Sequence, residues 1–179
     1  MKTIRLFAIT LLSIMMFNAT AQDKTAGTSE VNPEFQKQLG VVVKSAGELS
    51  NVFATDDAAT VDIAAAKVKD AISVTDMHLL TGENHMTWMK YMSEMNSQIV
   101  KILTDKDIES KRADFAAFND ALHNSVKAFG IKDEIAYYQF CPMAMNNKGA
   151  FWFSNVKEIR NPYLGSKMPA CGMTKETIQ

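Results

Sequence analysis

The stretch NPEFQKQLGVVVKSAGELSNVF, residues 32–53, decides the fold. Asn32 is suited to cap a helix, Pro33 to occupy its first position, and Glu34 to place negative charge at its positive end. The apolar residues Phe35, Leu39, Val42, Ala46, Leu49 and Phe53 then step by 4, 3, 4, 3 and 4. That spacing keeps them on one stripe, which a helix can bury only against a partner.

The same stepping recurs three times downstream. Val61, Ala65, Val68, Ile72, Thr75 and Leu79 mark a second helix. Trp88, Met92, Met95, Ile99 and Ile102 mark a third after the Thr81-Gly82 break. Phe115, Phe118, Leu122, Val126 and Phe129 mark a fourth, closed by Gly130. Four amphipathic segments with short connections predict a mainly α fold, an up-down-up-down four-helix bundle over residues 32–130.

After Gly130 the pattern changes. Ile135, Tyr137, Tyr138 and Phe140, then Phe151, Trp152 and Phe153, form two short aromatic runs of strand character. Met145-Asn146-Asn147-Lys148-Gly149 between them reads as a tight reversal, and Asn161-Pro162-Tyr163-Leu164-Gly165 as a second turn. Residues 131–179 are therefore expected to form a β-hairpin and loop cap within the same domain.

Upstream, Lys2 and Arg5 precede the apolar run Leu6–Phe17 and the small residues Ala19-Thr20-Ala21, the order of a cleaved signal peptide over residues 1–21. The run is about 12 residues where a spanning helix needs roughly 20, so no membrane span is expected in the mature chain. Residues 22–31 are small, polar and aperiodic, as in a flexible mature terminus. Without Lys2 and Arg5, the 19 basic residues fall to 17 against 20 acidic, a net of −3 with no block of like charge. That balance argues against nucleic acid as a partner. The expected location is periplasmic or secreted.

Soft donor atoms crowd the tail: Cys141, Met143, Met145, Met168, Cys171 and Met173, including both cysteines of the protein. Thiolate and thioether sulfur select Cu(I), whereas zinc sites seldom use Met. The competing reading is a Cys141–Cys171 disulfide in an exported interaction module without metal, closing a loop of about 30 residues for roughly 3.5 kcal/mol on the chain-entropy argument. Spacing alone leaves both open and favours the disulfide.

The runs Cys141-Pro142-Met143-Ala144, Lys148-Gly149-Ala150-Phe151-Trp152-Phe153-Ser154, Glu158-Ile159-Arg160-Asn161-Pro162-Tyr163-Leu164-Gly165-Ser166-Lys167-Met168 and Cys171-Gly172 closely resemble the signature of the bacterial family called domain of unknown function 3347. The resemblance extends over roughly residues 33–176, with the specific motifs in the last 40 or so. It implies an exported helical domain, also found at the C-terminus of periplasmic adaptor subunits of RND-type heavy-metal efflux systems. By that association it implies Cu(I) sequestration or transfer, with the metal ion, and an efflux adaptor or other envelope protein, as partners. Cys141, Met143, Met168 and Cys171 match the family's shared sulfur positions, and Asn161, Pro162 and Gly165 its turn. Met145 and Met173 fall outside the pattern and rank below those four. The aromatic side chains of Tyr138, Phe151, Trp152 and Tyr163 are expected to shield the sulfurs from water.

A weaker candidate lies on the third helix, where His85, Met89 and Met92 share one face at i, i+4 and i+7. Packing is the stronger reading there, because Met92 already falls on the apolar stripe. His78 and His123 carry less information still. No Ser/His/Asp order, HExxH, phosphate-cradling glycine loop or paired carboxylate motif is present, and no His follows position 123, so no enzyme activity is expected. Intact-mass analysis of the exported protein should find a chain beginning at Gln22. A membrane fraction retaining residues 1–21 would refute the leader assignment.

Overall fold

Asn32 caps the first helix as its sequence requires, its Oδ1 accepting the Glu34 N–H at 2.8 Å. The computed structural model describes residues 31–179; the expected signal peptide, 1–21, and residues 22–30 of the expected flexible terminus lie outside the described residues. Four long helices come first: α1 Pro33–Phe53, α2 Ala58–Ser73, α3 Gly82–Thr104 and α4 Ile108–Phe129. Asp57 and Asp107 cap α2 and α4, accepting from Ala59 N at 3.0 Å and Ser110 N at 2.8 Å. Gly130 closes α4 at φ +70°, its N–H bonded to Val126 O. The chain is thus mainly helical, with a small antiparallel sheet of three strands at its C-terminal end: β1 Ala136–Cys141, β2 Ala150–Ser154 and β3 Met173–Ile178.

The apolar stripes are the core. Phe35, Leu39, Val42, Ala46, Leu49 and Phe53 of α1 are fully buried, as are Val61, Ala65, Val68 and Ile72 of α2 and Trp88, Met95, Ile99 and Ile102 of α3. All five stripe residues of α4 are buried too. Each helix packs on the next along the chain, and Phe35, Trp88 and Phe129 meet edge to face at 5.0–6.2 Å.

Two elements differ from expectation. The second helix stops at Ser73 instead of running to Leu79, because Asp76 accepts the His78 N–H at 2.9 Å and starts a separate 3₁₀ turn, Met77–Leu79. Thr75 stays buried all the same, so its apolar phasing was right even where the helix was not. The cap is also more than a hairpin. β1 is the central strand, paired antiparallel with β2 from Tyr137↔Ser154 to Cys141↔Ala150 and, on its other side, with β3.

β2 is an edge strand packed against α1 and α4, and side chains of these helices satisfy the outward backbone groups of Phe153. Asn119 Oδ1 accepts the Phe153 N–H at 3.0 Å, and the Ser50 hydroxyl donates to Phe153 O at 2.6 Å. Ser50 and Asn119 are buried polar residues, so their place on the apolar faces of α1 and α4 is explained by this edge.

Two buried cations start α4. Lys111 donates to Asp62 Oδ1 at 2.6 Å and to Ile102 O, joining α4 to α2 and α3. Arg112 Nε donates to Pro162 O at 2.8 Å, Nη1 to Glu109 at 3.0 Å, and Nη2 to Phe53 O at 3.2 Å and to the Asp56 carboxylate. Asp56 also accepts the Ser166 N–H at 2.9 Å. Gly165 lies against this pair at φ +52°, where a Cβ would fall 1.9 Å from Asp56 Oδ1.

The hydrogen bonds from Ser166 and from Arg112 hold the Asp56 carboxyl down to about 2, against 3.8 ordinarily. A carboxylate with a lowered folded pKa stabilises the fold fully above its unfolded pKa and loses that contribution as pH falls towards the folded value. Asp56→Asn should therefore be less stable than the parent protein at neutral pH. In urea titrations the gap should close between about pH 4 and pH 2; a gap independent of pH would show that the Asp56 charge is not what holds the turn.

Candidate functional site

Cys141 ends β1 and Cys171 sits in the turn before β3, 30 residues later, yet their sulfurs lie 2.9 Å apart as free thiols. A formed disulfide would bring them to about 2.05 Å. Cys141 is fully buried, whereas Cys171 is partly exposed. Contact with Cys141, and then burial, push the Cys171 thiol up, while the main-chain N–H of Met143 opposes this by hydrogen bonding to the same sulfur.

The Asn161-Pro162 turn holds Cys171 in place. Asn161 is fully buried; its Oδ1 accepts the N–H groups of Tyr163 and Leu164, each at 2.8 Å, and its amide donates to Cys171 O at 2.6 Å. The Asn161 N–H bonds Pro169 O at 2.9 Å and the Cys171 N–H bonds Met168 O at 3.2 Å. Next comes Gly172 at φ +145°, where a Cβ would fall 2.9 Å from Trp152 Cη2, so only glycine lets the turn lie flat on the indole.

The sulfurs named from the sequence divide. Cys141 and Cys171 meet. Met143 and Met168 flank Cys171 through their backbones but leave their side chains 45% and 40% exposed, and Met173 is 47% exposed. Met145 packs against the core. Met143 and Met145 also line a cleft of about 570 Å³ with Glu109, Arg112, Asn146 and Tyr163. This cleft lies beside the reversal, where Met145, Asn146 and Asn147 all take left-handed backbone at φ 50–64°. His85 and Met89 are half-buried on α3, which packs against α2 and α4, and so belong to other elements than the thiol pair. Met92 packs against the core, as its stripe position implies.

The aromatic shield divides as well. Side chains alternate along a strand, so Trp152, opposite Gln139, shares a face with Cys141, while Tyr138 and Phe151 share the other. Trp152 and Tyr163 meet edge to face at 5.9 Å on the thiol side, and the Tyr163 hydroxyl donates to Phe151 O. Tyr138 instead stacks on Phe151 at 4.8 Å and on His123 of α4 at 3.9 Å. His123 Nε2 is 3.6 Å from Glu176, and burial pulls its pKa down. Its role here is to pack α4 against the sheet.

Among the described residues no three His, Cys, Asp or Glu side chains gather where they could hold a metal ion. The donor set is therefore two thiols with thioethers nearby, which suits a soft monovalent cation and not Zn²⁺ or Ca²⁺. Metal–sulfur bonds of about 2.3 Å need the two sulfurs farther apart than their present contact, so Cys171, on its exposed turn, would have to give way. No helix among the described residues is long and apolar enough to cross a membrane.

Fold and site define a mainly helical protein whose small terminal sheet holds a thiol pair against a buried turn. The chain belongs to the family described as protein of unknown function (DUF3347), whose model matches residues 42–134. That match runs from within α1 to just short of β1, so it rests on the helices and ends before the cysteine segment that carries the resembling motifs. No curated protein and no solved structure matches the chain.

The sequence reading did not find Arg112 or Asp56. A signal was present, since Lys111 and Arg112 precede Phe115 by 4 and 3 and so fall on the α4 stripe, where a charge must be paired. Asn161→Ala should leave Cys171 O and the N–H groups of Tyr163 and Leu164 without partners, at a cost of about 3 kcal/mol. Urea unfolding checks the loss, and alkylation of Cys171 in the native protein should quicken. An unchanged midpoint would mean that Asn161 does not hold the turn.

Proposed function

We propose that this is an exported protein, periplasmic or secreted, that sequesters or passes on Cu(I) in connection with heavy-metal efflux. The observation that carries the reading is the meeting of Cys141 and Cys171 at 2.9 Å, in a place where the other soft donors nearby are thioethers. Two thiolates supply charge as well as softness, while Met143 and Met168, at the surface beside Cys171, supply neutral sulfur that holds the ion loosely enough to release it. Trp152 and Tyr163 limit water on the inner side. An efflux adaptor or another envelope protein is the fitting recipient, and no catalytic role is assigned. The up-down-up-down order of the helices belongs to the same reading, supported by connections too short for crossovers, residues 54–57 and 105–107 among them.

Competition with a coloured Cu(I) chelator tests it. The reduced protein should take up one Cu(I). Cys141→Ser or Cys171→Ser should weaken binding by orders of magnitude, because a charged ligand is lost; Met143→Leu or Met168→Leu should weaken it less, and Met92→Leu hardly at all. Reduced protein with two titratable thiols and no Cu(I) uptake would refute the metal reading and leave a disulfide-stapled interaction module in its place.

A further inference from the structure

We infer that Cys141 and Cys171 form an ordered dithiol–disulfide couple, in which Cys171 exchanges with an incoming disulfide and the buried Cys141 resolves the exchange. Three observations carry this. The sulfurs already touch at 2.9 Å, so closing the bond needs side-chain movement and little else. The backbone on both sides is fixed, Cys141 by its pairing with Ala150 and Cys171 by Asn161 and Met168 O. And access differs: Cys141 is 0% exposed, while Cys171 is partly open on a turn whose neighbours Met143 and Met168 are at the surface.

The chemistry balances with a low-molecular-weight or protein disulfide as oxidant. Cys171 gives its proton to solvent and its thiolate attacks one sulfur of the incoming disulfide. That S–S bond breaks, one thiolate leaves and is protonated, and Cys171 carries the other half as a mixed disulfide. Cys141 then loses its proton and attacks Cys171 Sγ, expelling the second thiolate. Two protein thiols have given up two electrons and two protons, and the incoming disulfide has become two thiols.

The functional consequence rests on the metal reading above. A disulfide offers no thiolate, so the closed pair cannot hold a soft cation, and oxidation shuts the site that reduction opens. The same dithiol would then be protected from irreversible oxidation whenever it carries no metal.

The test treats the reduced protein with oxidised glutathione and follows intact mass. The parent chain should end as an internal disulfide without bound glutathione. Cys141→Ser, or Cys141→Ala if the serine is poorly accommodated, should accumulate one glutathione on Cys171, and Cys171→Ser should accumulate almost none in the folded state. If Cys171→Ser takes up glutathione as readily as Cys141→Ser, or if the parent chain forms no internal disulfide, the ordered couple is wrong whatever the metal does. Cu(I) competition on both redox forms separates the two ideas. Binding by the reduced form alone supports the gate, and equal binding by both forms overturns it. An ordered couple whose reduced form takes up no Cu(I) upholds the thiol order and overturns the metal reading.

Discussion

The guanidinium of Arg112 joins the turn at residues 161–166 to the helices. It is 4% exposed, and its donors reach the end of α1 through Phe53 O and Asp56, its own helix through Glu109, and the distant turn through Pro162 O. A buried charge tolerates few arrangements: each donor left unpaired in the interior is expensive, so the partners must stand where they do or the packing fails. This makes Arg112 a device for register more than for bulk stability. It fixes where residues 161–166 lie over α4, and Asp56, held by the same pair, takes the Ser166 N–H.

From that anchor the dependence runs outward. With Pro162 pinned, Asn161 turns inward and its amide reaches Cys171 O; with Cys171 held and Gly172 flat on Trp152, the second thiol comes to the first. On the other side, Ser50 and Asn119 complete the outer edge of β2, which keeps β1 and its terminal Cys141 in place between the helices and the turn. The two thiols are therefore set by independent frames, one by the sheet against α1 and α4, the other by the turn against Arg112. Both backbones are held, but Cys141 is fully buried while the Cys171 side chain is partly exposed, so Cys171 is the thiol free to turn toward solvent. That difference in freedom underlies both the proposed uptake of a cation and the proposed order of thiol exchange.

Thioethers distribute differently from thiols for a physical reason. Met95 fills the core and Met145 packs against it, whereas Met143, Met168 and Met173 lie at the surface of the cap, exposing apolar surface that burial would have favoured hiding. Sequence proximity grouped them with the cysteines; the fold leaves Met143 and Met168 beside Cys171 with their side chains partly exposed.

Much of this was legible in the residues themselves. The 3.6-residue spacing from Phe35 to Phe129 predicted most of the side chains that are buried, Leu79 and Met92 being only partly so, since burying a stripe is a local matter of periodicity, and Asn32, Gly130 and the Asn146-Asn147 reversal announced their own backbone conformations. β3 could not be read in this way. Met173–Ile178 is mostly exposed and carries Lys175 and Glu176, so nothing in its pattern asks for a strand; it becomes one because β1 offers a free edge. The end of α2 was misjudged because Asp76 competes for the backbone with a carboxylate whose preference periodicity does not register. The sequence by itself determined the helices, their apolar faces and the two cysteines. Only the tertiary structure decided that those thiols meet, because their meeting depends on Arg112, Asp56 and Asn161, charged and polar groups with partners as far as 110 residues away that can be paired only once the chain has closed on itself.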